Sequence, residues 1–234
     1  MIPLRQLAGQ TVIYGMGTIV PRVLNYLLLT PFYTRVFITG EYGVITELYA
    51  YVAFLMVLLT YGMETAYFRY VESETDKERV YRTSLTSLFF TTLFFLALVI
   101  LLAQPIASLI KYPTHKEYIL YFAFIVGIDA FTAIPFARLR QQQQAARFTM
   151  IRIVNVLVNI GLNVFFLYVC PRVLQHHPDS IVRFIYSPSV GVGYAFISNL
   201  IASITTLLLL LPELLRFRIR FDTVLLRQML SYAL

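Results

Sequence analysis

Six stretches of this chain are long and apolar enough to cross a lipid bilayer. A membrane core needs about 20 consecutive apolar residues per helix. Such stretches run at roughly 9–36, 43–68, 83–110, 118–139, 148–170 and 190–212. A seventh begins near 222 and continues through "LLRQMLSYAL" to Leu234. Hydrocarbon offers no partner to a peptide N–H or C=O, so each stretch must close its own hydrogen bonds as a helix. The expected fold class is therefore all-α integral membrane. Composition agrees, with 59% of the 234 residues hydrophobic, 13% charged and a mean hydropathy of +0.72. A soluble domain is nearer half apolar and a quarter charged.

Breaks between the stretches carry turn signals: "ITGEYG" (38–43), "KYPTHKEY" (111–118) and "QHHPDS" (175–180). Pro21 and Pro31 in the first stretch, and Pro105 near the end of the third, are expected to bend their helices. "QQQQ" (141–144) reads as a solvated helix end. The N-terminal "MIPLRQLAGQ" lacks a signal-peptide pattern, because the apolar run after it is too long and no small-residue cleavage site closes it. It is expected to be retained.

The chain has 19 Lys+Arg against 12 Asp+Glu, a net charge of +7. On a soluble protein that surplus would suggest nucleic acid. Here the basic residues punctuate apolar runs, so they report topology, and no nucleic-acid partner is expected. Thirteen fall on one side: Arg5; Arg69, Lys77, Arg79 and Arg82; Arg138, Arg140, Arg147 and Arg152; and Arg216, Arg218, Arg220 and Arg227. Five fall on the other: Arg35, Lys111, Lys116, Arg172 and Arg183. This bias places the N-terminus in the cytoplasm. Only Arg22 is left over, deep within a span.

Chemistry-bearing motifs are sparse. A single cysteine, Cys170, excludes an internal disulfide. His176 and His177 stand without further ligands, so no metal site is expected. No glycine-rich phosphate loop, Walker motif or nucleophile elbow occurs, so no enzyme and no cofactor are expected. The informative residues are polar ones inside the spans, which usually face a bundle interior or water. Thr11, Thr18, Arg22 and Asn25 form one stripe at helical spacing, and Arg152, Asn155, Asn159 and Asn163 another. Asp129 and Thr132 share a face, and Glu47, Tyr51, Phe54, Leu58 and Tyr61 form a face with an acid at its outer end. The midpoints of the first, fourth and fifth stretches set Arg22, Asp129 and Asn159 at similar depth. Two readings follow. One is a hydrated cavity in which Arg22, Asn25, Asn155, Asn159 and Arg152 receive a phosphate-bearing or acidic substrate, with Asp129 and Glu47 as coupling or pairing acids. The other is a structural Arg22–Asp129 pair with asparagine hydrogen bonds between helices. Gly15 and Gly17 in "YGMGT" would let another helix approach closely.

The segment "LAGQTVIYGMGTIVPRVLNYLLLTPFYTRVFITGEYGVITELY" (7–49) resembles the start of bacterial polysaccharide and O-antigen flippases, within the multidrug/oligosaccharidyl-lipid/polysaccharide exporter superfamily. The resemblance rests on Tyr14-Gly15-x-Gly17, Arg22, Pro31-x-Tyr33-Thr34-Arg35 and Glu41-Tyr42-Gly43, and on "YGMETAYFRY" (61–70). It implies one N-terminal transmembrane lobe over 1–234, with six helices and the start of a seventh, in a two-lobed alternating-access transporter. It further implies transport of an undecaprenyl-diphosphate-linked oligosaccharide across the bacterial inner membrane for surface polysaccharide biosynthesis. The partners implied are that lipid-linked oligosaccharide, the bilayer and a C-terminal lobe of the same protein. Arg22 matches the family's cavity cations in type and place. Two alternatives stand beside this: a drug/cation antiporter of the same superfamily, and a membrane polymerase or ligase acting on lipid-linked glycans.

Overall fold

The computed structural model describes residues 4–177, 179–215 and 222–233. The side chains of Arg5 and Thr11, and Arg216, Arg218 and Arg220 altogether, lie outside the described residues. All regular structure among the described residues is helical. Helix α1 (Leu4–Leu24) runs through a wide π-helical turn at Asn25–Leu29 into α2 (Thr30–Val36). Then follow α3 (Thr39–Thr60), α4 (Met63–Ser73), α5 (Lys77–Leu109), α6 (Lys116–Gln141) and α7 (Ala145–Val164). A second π-helical turn, Phe165–Val169, joins α7 to α8 (Cys170–His176). The chain closes with α9 (Gly193–Leu209), α10 (Leu211–Leu214) and α11 (Thr223–Ala233).

Both π-helical turns precede a proline, Pro31 in α2 and Pro171 in α8. Proline donates no hydrogen bond and clashes with the carbonyl four residues back. A wider turn just before it relieves that conflict without breaking the rod. The third stretch behaves differently: Pro105 sits inside α5, which remains one helix of 33 residues. The real break is one the prolines do not mark. Between α3 and α4, Tyr61 takes φ 33° and Gly62 φ 70°. Gly62 tolerates the left-handed region freely, whereas Tyr61 does not. The Tyr61 hydroxyl is held 2.6 Å from the Ser87 hydroxyl of α5.

Among the described residues, five helical segments are long and apolar enough to cross a membrane: Val12–Val36, Thr39–Ser73, Lys77–Leu109, Lys116–Gln141 and Ala145–His176. The protein is thus a multi-pass membrane protein by length and composition. Of the six spans expected, the last is shorter, since α9 has 17 residues. Helix α6 is the centre of the bundle, packed on α3, α5 and α9, while α7 packs between α1 and α9. The most apolar window of α6 is 61% buried, against 11% for Val12–Val36, so the first span lies at the periphery. Close approach of α1 to α7 depends on Gly17, where a Cβ would lie 3.0 Å from the Thr149 Cα; nothing lies within 4 Å of Gly15. Gln142 and Gln143 are exposed in the α6–α7 turn.

Charges collect at one end of the bundle. Glu213 in α10 is only 5% exposed. Its carboxylate lies 2.7 Å from Arg147 Nη1 and 3.3 Å from Arg138 Nε. Arg138, also buried, reaches Glu78 of α5 at 2.9 Å and stacks 4.1 Å from the Tyr81 ring. Asp222, ahead of α11, accepts from the Leu225 N–H at 2.9 Å and from Arg79 Nε at 2.7 Å. Those donors hold its carboxyl below the usual carboxylate range.

Glu213→Ala removes one carboxylate from a buried charge network, a loss that costs ~3 kcal/mol or more. The unfolding midpoint in detergent is expected to drop by roughly 5–10 °C. A thiol-reactive dye reads this directly, because the lone Cys170 is fully buried until the bundle opens. Asp222→Asn should lower the same midpoint at neutral pH. Because the folded pKa is depressed, the wild-type advantage is present above the ordinary value of about 3.9. It disappears as pH falls through the lower folded value.

Candidate functional site

A polar cavity of about 310 Å³ lies within the bundle between α3, α4, α6, α7 and α9. Its polar lining comes from Thr60, Glu64, Asp129, Thr132, Arg140, Arg152, Asn155, Asn199, Ser203 and Thr206. The break at Tyr61–Gly62 sets Glu64, in the first turn of α4, at this cavity. There it pairs with Arg140. On α6, Asp129 accepts a hydrogen bond from Ser203 of α9 at 2.9 Å. Asn155 of α7 donates to the Thr206 hydroxyl at 3.0 Å, and Asn199 donates to Tyr49 at 2.8 Å. Helix α9 therefore presents Asn199, Ser203 and Thr206 on one face, at spacings of a single helical stripe.

Arg152 differs from the other cavity charges. Its guanidinium lies 4.1 Å from the Phe136 ring centroid and 5.8 Å from that of Phe148. Among the described residues no carboxylate lies within 4 Å of it. The side chain is exposed to the cavity. Two carboxylates, Asp129 and Glu64, and one further cation, Arg140, line the same cavity. An aromatic platform fixes the plane of a guanidinium while its N–H groups stay free. A free, planar fork in a polar pocket can donate two parallel hydrogen bonds to a phosphate or carboxylate. At about 310 Å³, near the lower limit for small-molecule pockets, the space suits a charged head group better than a glycan.

Not every residue singled out from the sequence meets at this site. Arg152, Asn155 and Asp129 do. Arg22 does not line the cavity; its side chain is exposed on the peripheral first span, and it makes no ion pair with Asp129. The alternative reading, a structural Arg22–Asp129 pair, is not what forms: Asp129 accepts from Ser203 instead. Asn25 opens the first π-helical turn, and its Oδ1 is buried without a partner. Asn159 is 6% exposed and accepts from Asn163 at 3.0 Å, while Asn163 accepts from Tyr33 at 2.8 Å. Those asparagines tie α7 to α2. Glu47 lies away from the cavity, bonded to Tyr112 at 2.9 Å and Tyr51 at 3.3 Å. Sequence reasoning missed Arg140 and Glu64, which read as loop-end charges, and the α9 face. The 4,3 spacing of Asn199, Ser203 and Thr206 was a signal that could have found the latter.

A family model described as polysaccharide biosynthesis protein matches residues 33–173, more than half of the chain. The chain belongs to that family. The matched region holds Glu64, Asp129, Arg140, Arg152 and Asn155, while the α9 side of the cavity lies beyond it. No curated protein and no solved structure matches the chain.

A cysteine scan checks the geometry. Asn155→Cys is expected to react with a water-soluble maleimide in detergent. Asn159→Cys should react about tenfold more slowly or less, since a buried thiol reacts only when packing opens. Equal rates at the two positions would refute a cavity that stops short of Asn159.

Proposed function

We propose that this protein moves a lipid-linked oligosaccharide across the membrane, with Arg152 receiving the diphosphate of the carrier lipid. The observation that carries the proposal is the free, aromatic-backed guanidinium in a polar cavity of a polysaccharide-biosynthesis protein. Hydrocarbon excludes charge at a cost of several kcal/mol, so a diphosphate crossing a bilayer needs a polar path with a cation in it. Asn155 stands one turn along from Arg152 on α7 and supplies a further polar contact. Asp129, also at the cavity, is held by Ser203 and leaves the guanidinium free for the substrate. In this reading the protein is a transporter and not an enzyme, it needs no cofactor, and a substrate or ion gradient drives it.

The reading extends to architecture. Helix α9 spans ~26 Å at 1.5 Å per residue, near the ~30 Å of a hydrocarbon core, so it serves as a sixth span. The peripheral first span, with Arg22 exposed on it, faces a second lobe of the same protein. The glycan passes between the two lobes, where Arg22 adds positive potential. The arginine-rich end lies in the cytoplasm of a bacterial inner membrane, with the N-terminus on that side. The unpaired Arg152 guanidinium in the cavity disfavours the drug/cation antiporter alternative, because like charges repel.

In cells that depend on the full-length protein, Arg152→Ala should cut surface polysaccharide on the order of tenfold at unchanged protein level, the scale of a lost charge-assisted hydrogen-bond pair. Arg152→Lys, which keeps the charge and loses the fork, should fall between. Normal export by Arg152→Ala would overturn the assignment; if Arg22→Ala alone fails, the diphosphate contact belongs to Arg22.

A further inference from the structure

A second concavity, separate from the polar cavity, opens along the bundle between α3, α5 and α6. It encloses about 840 Å³ and is lined by apolar side chains such as Leu55, Leu98, Val99, Leu102 and Phe122. Polar groups appear only at one end, where Glu47, Tyr51, Lys111 and Tyr112 converge. The lining ends at Leu58 and Phe95 on the opposite side. It runs ~16 Å along α3, from Glu47 to Leu58, and ~21 Å along α5, from Phe95 to Leu109. The groove therefore follows more than half of a ~30 Å hydrocarbon core, with its polar groups gathered at one end.

We propose that this groove binds one anionic glycerophospholipid, its acyl chain along α3 and α5 and its headgroup phosphate on Lys111. Water does not fill an apolar groove inside a bilayer, so a hydrocarbon chain covers it. Lys111 selects the headgroup. Its side chain is exposed, and among the described residues no carboxylate lies within 4 Å of its ammonium. The one acid at the mouth, Glu47, has each oxygen taken by a phenol, Tyr112 at 2.9 Å and Tyr51 at 3.3 Å. Those two tyrosines, with a polar tip and an apolar body, suit the interface between headgroup and chain. A positive φ of 64° at Lys111 turns the chain sharply after α5 and sets that side chain at the groove mouth.

The chain has no tryptophan, so one introduced indole reports on one place. Leu102→Trp puts it on the groove, and Leu27→Trp puts it on an exposed surface of the first span. Each variant is reconstituted in vesicles of phosphatidylcholine with increasing brominated-chain phosphatidylglycerol or brominated-chain phosphatidylcholine. Quenching at Leu102→Trp should favour the anionic lipid roughly fivefold, the factor one basic side chain supplies near a charged surface. Leu27→Trp should show no preference. Adding Lys111→Glu or Lys111→Gln to the Leu102→Trp chain should abolish the preference. Equal quenching by both lipids, or a preference that survives both Lys111 changes, overturns the proposal. So does displacement of the brominated lipid by a polyprenyl phosphate at lower mole fraction than by unbrominated phosphatidylglycerol, which would make the groove a carrier-lipid site.

Discussion

An arginine surrounded by hydrocarbon has to reach a carboxylate, an aromatic face or water, and this requirement organises the whole bundle. At one end, Glu213 draws Arg138 and Arg147 together from α6 and α7, and Arg138 reaches on to Glu78 of α5. Three helices and the α10 turn are thereby held in register by one network of charges. Arg79 and Asp222 extend it to α11. Buried pairs of this kind are costly to assemble and costlier to break, because a lone partner stays desolvated. They fix which helices meet more than they add to stability.

The same requirement explains the polar cavity. Arg140 is satisfied by Glu64, and Asp129 by Ser203. Arg152 is satisfied by neither and rests on Phe136. A cation–π contact is worth ~0.5–2 kcal/mol, less than a buried ion pair forfeits on breaking. An anion can therefore recruit Arg152 without first displacing a carboxylate. The break at Tyr61–Gly62 contributes by redirecting the chain, so that Glu64 faces the cavity and engages Arg140.

Two concavities of opposite character thus share α3 and α6. One is polar, small and internal; the other is apolar, longer and lateral. Their separation follows from the faces of α3. Glu47, Tyr51, Phe54 and Leu58 line the lateral groove, while Met56, Val57 and Thr60 turn to the polar cavity. The face that begins with an acid at Glu47 is therefore mostly a lipid-facing one.

The all-helical class and the multi-pass character followed from the sequence alone, because a backbone in hydrocarbon has few solutions and a run of twenty apolar residues is easily recognised. The polar stripes were legible too, since a 3.6-residue period can be read without coordinates. Which stripe faces which neighbour was not. Arg22 and Arg152 look alike in sequence, each heading a polar stripe in an apolar helix. Only packing separates them: α7 is sandwiched between α1 and α9, whereas α1 lies at the rim. Along α7, tertiary contacts divide a single stripe into a cavity half, Arg152 and Asn155, and a structural half, Asn159 and Asn163. The physical reason is that helical periodicity is local, while burial and charge pairing depend on residues more than a hundred positions away, as between Tyr33 and Asn163.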